Sequence, residues 1–300
     1  MMHRPSILLF PGQGTEAVGM SKGWEAHETW WRTVEAAEAQ TGIPLLRLMM
    51  EGPLETLHRQ RLAPVAVLAH SVAIYRTWRE AGMPLPAAAA GHSMGFYAAL
   101  VAASVIPLEV ALEMISLVED LCGEAFQDRP MGMGFVIGIT ELDLRQALLA
   151  HPDLVLSCRN GKAQFTISGP LVALLPLLES LRPEALKVGL LPVKHPIHGP
   201  HMVALLPSLT RALGKVMPRD PAFPLISHFD GRVIQSGDEA WDEGIASVAL
   251  PVDWLAVVER LKAMSTPLLE CGHGSQLAGL TRWADRDLVV GSLQDPPSAS

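Results

Sequence analysis

The sequence predicts an α/β protein: a large α/β domain interrupted by a small ferredoxin-like unit. Three observations lead there. Apolar runs of strand length alternate with segments of helical period, a glycine-flanked turn joins a strand to a helix at residues 91–95, and residues 129–194 carry the order β-α-β-β-α-β. With 49% hydrophobic and 18% charged residues, the 300-residue chain has the composition of a globular protein with a sizeable core.

Taken in order, Ser6-Ile-Leu-Leu-Phe10 is an apolar run broken by Pro11-Gly12 and reads as a buried strand. Segments 23–40, 44–50, 53–58 and 64–82 read as helices; in the last, Val65, Leu68, Val72 and Tyr75 recur at helical spacing. Ala87 to Ala90 forms a strand that runs into the turn, and Phe96 to Ala103 a helix out of it. Pro107 opens the next helix, with the apolar stripe Leu108, Ala111, Leu112, Ile115, Val118 and Cys122. Strands over 134–139, 154–157, 164–168 and 187–193, with helices over 142–150 and 171–181, make the ferredoxin-like unit. The large domain resumes near His195 with a helix over 201–216, a strand over 225–228, a helix over 253–264 and a strand over 267–271. The expected division is therefore 1–128 with 195–293 as the large catalytic domain, 129–194 as the small one, and 294–300 as a flexible, Pro-rich tail.

The formal charge of -8 argues against a nucleic-acid binder, which carries a basic stripe. Arg59 with Arg61, and Arg282 with Arg286, read as solvated charges or as a basic patch for an acidic partner. Cys122, Cys158 and Cys271 are an odd set without metal-ligand spacing, so neither a disulfide framework nor a zinc site is expected. The run Ile7 to Phe10 is too short for a signal-peptide core, and no later run reaches the roughly 18 apolar residues of a membrane span. A cytoplasmic setting is expected.

Gly91-His92-Ser93-Met94-Gly95 matches G-x-S-x-G, the nucleophile elbow of hydrolase-like α/β folds. Its glycines permit the sharp turn that presents the Ser93 hydroxyl, and the helix beyond starts with N–H groups, Met94 first, facing any oxyanion formed there. A serine hydroxyl needs a base to act as a nucleophile near neutral pH. His195-Pro196-Ile197-His198-Gly199-Pro200-His201 places three histidines in one loop. On the residues alone that loop reads equally as a capping or metal-leaning cluster, and no one histidine stands out.

Phe10-Pro11-Gly12-Gln13-Gly14, the elbow, and the histidine loop with Met202 follow one another in an order that resembles the malonyl-CoA:acyl carrier protein transacylase family. The resemblance covers residues 6 to about 293. It implies Ser93 as nucleophile, His198 as general base and acid, and Gln13 with Met94 as the backbone donors of an oxyanion hole. It implies also that a backbone carbonyl orients the histidine; the family's glutamine there falls on Ser247, just before Ala249-Leu250-Pro251-Val252. His92, Val118, Asn160 and Ile197 fall on substrate-cleft positions, and Asn160 reads equally as a turn asparagine. The partner implied is an acyl carrier protein with an acyl thioester, possibly of coenzyme A, in fatty acid or polyketide synthesis. No cofactor or metal is implied, and no nucleic acid or membrane.

One departure bears on the substrate. Malonyl-selective members hold the substrate's free carboxylate with an arginine on the helix after the elbow; here that position is Val118, beside Glu119, and no arginine occurs between Arg79 and Arg129. A carboxylate buried without a cation costs roughly several kcal/mol. Phe96, where the family commonly has glutamate, makes the surroundings less polar. The expectation is an acyltransferase not selective for malonyl, preferring an acyl group with an apolar far end. Three rival readings stand beside it: an acyl-carrier-protein thioesterase using the same acyl-enzyme, an ordinary α/β-hydrolase with Ser93, Asp253 and His273 in chain order, and a non-catalytic docking or scaffold protein that kept the fold, against which the intact Ser93 and His198 speak.

Overall fold

The first strand, β1 (Ile7–Phe10), is wholly buried, as four consecutive apolar residues require of a parallel strand covered on both faces. Its side chains alternate: Leu8 and Phe10 point into one core layer, Ile7 and Leu9 into the other. The computed structural model describes residues 5–58 and 61–297, so Arg59 of the expected basic cluster lies outside the described residues. The remaining strands are β2 (Ala88–Gly91), β3 (Met131–Ile137), β4 (Val155–Gly161), β5 (Gln164–Pro170), β6 (Lys187–Leu190), β7 (Leu225–Ile226), β8 (Val233–Ile234), β9 (Val252–Asp253), β10 (Leu268–Glu270) and β11 (Val290–Ser292). The helices are α1 (Glu28–Thr41), α2 (Leu45–Glu51), α3 (Leu54–Leu57), α4 (Leu62–Glu80), α5 (Gly95–Ala102), α6 (Leu108–Ala125), α7 (Glu141–Leu148), α8 (Leu171–Leu181), α9 (Leu206–Leu213), α10 (Gly237–Ala246), α11 (Trp254–Met264) and α12 (Gln276–Ala284).

Six strands form the first sheet in the order β11-β10-β1-β2-β7-β8, parallel except for the β7–β8 pair. One face is covered by α4, α5, α6 and α9 among others, the other by α11 and α12. This is the predicted large α/β layer arrangement. The expected stripe of α6 is buried throughout, from Leu108 to Cys122.

The second sheet has the order β6-β3-β5-β4-β9. Its first four strands are antiparallel neighbours with α7 and α8 packed against them, which is the predicted ferredoxin-like arrangement. The fifth strand was not foreseen. Val252 and Asp253 pair in parallel with Cys158 and Arg159, so a segment expected to begin a helix first adds a strand to this sheet, and Asp253 then caps α11 by accepting from the Ala256 N–H.

Other differences are local. The expected helix over 201–216 is a 3₁₀ turn, Pro200–Leu205, followed by α9, because Pro200 and Pro207 interrupt the α-helical ladder. Elements β8, α10, α12 and β11 were missed: β8 is two residues long, and α10 and α12 carry internal glycines. Gln294, placed at the start of a flexible tail, is held: Trp24 Nε1–H donates to its carbonyl at 2.9 Å and its amide donates to the Gly274 carbonyl. Residues 298–300 lie outside the described residues. Among the described residues no helix is long and apolar enough to cross a membrane.

The elbow is built by close approach. A Cβ on Gly95 would sit 2.1 Å from the Phe10 carbonyl oxygen, and one on Gly91 would sit 2.3 Å from the Gly95 backbone. Neither neighbour is a side chain that can swing away. We predict that Gly95→Ala lowers unfolding free energy by more than about 2 kcal/mol in urea titrations, since backbone must move. Gly123→Ala, in exposed helix with nothing within 4 Å of the new Cβ, should be neutral or gain up to about 1 kcal/mol.

Candidate active site

Strand β2 delivers His92 and Ser93 to the edge of the first sheet, where the chain turns within two residues into α5. The turn is held by the His92 N–H on the Phe10 carbonyl at 3.0 Å and the Gly95 N–H on the His92 carbonyl at 2.9 Å. Ser93 sits at φ 53°, in the left-handed region that costs a non-glycine residue about 1 kcal/mol or more. The N–H groups of Gly95, Phe96 and Tyr97 are taken by the carbonyls of His92, Ser93 and Met94. The Met94 N–H precedes these, at the N-cap of α5.

The histidine loop meets the elbow from the opposite side. Ser93 Oγ lies 2.6 Å from His198 Nε2, and His198 Nδ1 lies 2.5 Å from the Ser247 carbonyl oxygen. A carbonyl only accepts, so Nδ1 carries the proton and Nε2 is left to accept from the serine hydroxyl. His198 is itself at φ 64°, and its N–H is fixed to the Val248 carbonyl at 2.8 Å. Of the four described non-glycine residues at positive φ, two are Ser93 and His198. The three histidines of the loop part company: His195 pairs with Glu119, His198 with Ser93, and His201 Nε2–H donates to the Asp153 carbonyl at 2.8 Å.

Ser247 is the C-cap of α10, so the carbonyl facing the imidazole lies at the negative end of a helix dipole. The Ser247 hydroxyl donates to the Gly244 carbonyl at 2.8 Å, and the Tyr97 hydroxyl reaches the same carbonyl at 3.0 Å. Burial pushes the Tyr97 phenol up to about 12, the Ser247 contact opposing, so it remains a donor. Tyr97 was not singled out from the sequence. A signal for α10 was present in Ser236 and Glu239, at capping-box spacing, and the Ser236 side chain does accept from the Glu239 N–H.

Burial pulls the His198 imidazole down to about 4; the Ser247 hydrogen bond opposes this and the neighbouring His92 ring adds to it. His92 is also lowered by burial. Its Nε2–H donates to Asn160 Oδ1 at 2.7 Å, and the Asn160 amide donates to Thr166 Oγ1 at 3.3 Å. Asn160 thus bridges the elbow to β4 and β5 of the second sheet rather than closing a turn.

A cavity of about 310 Å³ opens over Ser93 between the two sheets' edges. All nine sequence-singled residues line it: Ser93 and His198; Gln13 and Met94; Ser247; and His92, Val118, Asn160 and Ile197. Glu119 and His195 line it as well, joined by His195 Nε2–H donating to Glu119 Oε2 at 3.0 Å. Phe96 does not: it is fully buried behind the elbow, 4.6 Å from the His228 ring, and so leaves the cavity's polarity unchanged, contrary to expectation. The chain-order alternative of Ser93, Asp253 and His273 is not assembled. Both oxygens of Asp253 accept from Arg159 Nε–H at 3.0 Å, and His273 packs 6.5 Å from the His70 ring. Among the described residues no cluster of three or more His, Cys, Asp or Glu could hold a metal ion.

This fold and this site define an acyltransferase: the chain belongs to the acyl transferase domain family, whose profile matches residues 7–246. Its relatives include the malonyl CoA-acyl carrier protein transacylase of Escherichia coli K12, 31% identical over 294 residues that cover 96% of this chain and 95% of that protein. Among solved structures, the acyl carrier protein S-malonyltransferase of Vibrio cholerae superposes with a TM-score of 0.88 at 29% identity, covering 96% of each chain. A malonyl-transacylase in complex with its type II polyketide synthase acyl-carrier protein gives 0.90 at 29% identity, covering 97% of this chain and 96% of that one.

The buried imidazoles make stability pH-dependent. His198 protonates near 4, His70 near 3 through burial and the nearby His273, and His228 lies well below 6.5 through burial; unfolded histidines take a proton near 6.5. Between those values the unfolded chain binds more protons, so stability falls as pH is lowered, by up to about 1.4 kcal/mol per pH unit for each ring. The urea midpoint should therefore drop from pH 7 to pH 5, and the His198 Hε1 resonance should show no titration above pH 5. A His198 midpoint near 6.5 would contradict this.

Proposed function

We propose that this protein carries an acyl group as an ester on Ser93 and passes it to the phosphopantetheine thiol of an acyl carrier protein. The observation that carries the reading is the relay from Ser93 Oγ through His198 to the Ser247 carbonyl, at 2.6 and 2.5 Å, on the wall of a cavity. Ser93 Oγ gives its proton to His198 Nε2 and bonds to the thioester carbon. The oxyanion is held by the N–H groups of Gln13 and Met94. When the carbon–sulfur bond breaks, the proton on His198 Nε2 goes to the departing thiolate. The acceptor thiol then repeats the sequence in reverse, and Ser93 regains its proton. An imidazole pulled down by burial is neutral at the start of each half-reaction. The C-terminus of α10 stabilises the imidazolium when it forms.

The carrier partner is supported by the relatives, which are carrier-protein transacylases. The same likeness supports a cytoplasmic setting as part of the proposal. The chain is read as a catalytic domain of residues 1–128 and 195–293 with 129–194 inserted, and the cavity draws side chains from both parts. Against malonyl stands the acyl end of the cavity. Val118 offers no cation, and Glu119 beside it carries a carboxylate that repels another. The proposed acyl group is one without a free carboxylate.

Three outcomes are expected in intact-protein mass spectrometry with acyl thioesters. Ser93→Ala forms no adduct while keeping its fold; His198→Ala slows acylation by about a thousandfold or more; and His273→Ala stays within about twofold of wild type. A more damaging His273→Ala would overturn the assignment of the base. In competition, butyryl should label wild type faster than malonyl, and Val118→Arg should move the preference toward malonyl through a two-point hydrogen bond to its carboxylate. A wild type that favours malonyl defeats the inference from Val118.

A further inference from the structure

The Glu119–His195 pair is unused by the chemistry proposed above, yet both residues line its cavity. Glu119 stands on α6 directly after Val118, and His195 opens the histidine loop; their side chains are only 16% and 7% exposed. The surrounding wall is largely apolar, with Ile115, Met133, Phe135 and Leu191 among its members. Burying a carboxylate in such a wall is costly unless its oxygens are hydrogen-bonded, and an apolar acyl chain seated against it supplies no hydrogen bond. The carboxylate therefore works against a purely hydrocarbon substrate end as well as against an anionic one.

What it favours follows from the count of acceptors. An ionised carboxylate offers about four lone-pair positions and no donor, and the His195 Nε2–H occupies one. The same bond restrains Glu119, which lines the cavity, so a donor seated there can reach its remaining acceptor positions. A neutral hydroxyl on the acyl chain meets that acceptor without losing a charge's hydration, as an ammonium would. We infer that the Glu119–His195 pair selects acyl groups bearing a hydroxyl. The inference rests on the Ser93 acyl-enzyme reading and narrows its substrate class.

The test is competitive acylation of Ser93 by butyryl against one rival per sample, malonyl or the 2-, 3- or 4-hydroxybutyryl thioester, read as the two adduct masses so that ratios do not depend on the folded fraction. In wild type, one hydroxybutyryl isomer should exceed butyryl by about tenfold, the worth of a hydrogen bond to a charged group. Glu119→Leu should bring that ratio to about one. Glu119→Gln, which keeps an acceptor oxygen and the reach to His195 but not the charge, should retain a preference of about threefold or more and discriminate less against malonyl. A wild-type ratio near one for all three isomers, with butyryl still forming adduct, overturns this inference alone. A hydroxyl preference that survives Glu119→Leu likewise assigns it elsewhere. No adduct from any thioester removes the acyl-enzyme reading and this inference with it.

Discussion

The approach of α5 to the end of β1 is the constraint on which the site depends. Gly95 has no room for a Cβ against the Phe10 carbonyl, and Gly91 none against Gly95. Two strands and a helix are thereby brought closer than side chains would allow, and Ser93 is left at the apex with its backbone in the left-handed region. The strain is tolerable because β1 and β2 are paired along their length and buried on both faces, so the sheet does not yield. The Gln13 loop follows β1 directly. Its place beside Met94 is therefore set by the same pairing: the Gln13 side-chain amide reaches the Pro192 carbonyl at 3.5 Å, and Gln276 donates to the Gln13 carbonyl at 3.3 Å.

The second half of the site depends on a helix end. His198 receives no carboxylate partner; it faces the carbonyl of Ser247 at the C-terminus of α10. That substitution of a dipole for a charge has a consequence. A carboxylate at that place would raise the imidazole's proton affinity, whereas a carbonyl does so weakly enough that burial wins, holding the ring near 4. The base is then neutral over the whole physiological range. In the proposed reaction it becomes charged only while it holds the proton taken from Ser93 or from the acceptor thiol. Tyr97, in the first turn of α5, ties the same helix end to the elbow through the Gly244 carbonyl, so Ser93 and the carbonyl facing His198 share one rigid support.

What was legible in the sequence follows the range of the signal. The elbow is written in five consecutive residues, and the ferredoxin-like order in runs long enough to show their period, so both were readable. His198 could not be told from its two neighbours by residue type, because what separates them is which partner each meets across the fold. Ser247 was reachable only through the resemblance, since a backbone carbonyl leaves no mark on residue identity. Helix α10 went unread although its Ser236–Glu239 cap was present, because glycines at 237 and 244 and the acidic residues between them mask its apolar face. Strand β9, two residues long and paired with β4 far earlier in the chain, has no local signal at all.

The Glu119–His195 contact shows the same limit with more at stake for substrate choice. Its partners are 76 residues apart, and each looks ordinary where it stands, one on an amphipathic helix and one in a loop. The sequence shows only valine at 118, where the resemblance implies an arginine, and the proposed exclusion of a carboxylate-bearing acyl group starts from that difference. The structure adds a directed acceptor in its stead. A cavity wall that merely lost its cation would relax toward hydrocarbon, because an apolar side chain at 119 would pack there without the cost of a buried charge. Keeping a carboxylate, and holding it with an imidazole from the very loop that carries His198, couples the acyl end of the cavity to the segment that positions the base. On the proposed reading, an acyl group seated against Glu119 also bears on the loop that carries His198, so acyl recognition and the geometry of the Ser93–His198 pair share one structural element.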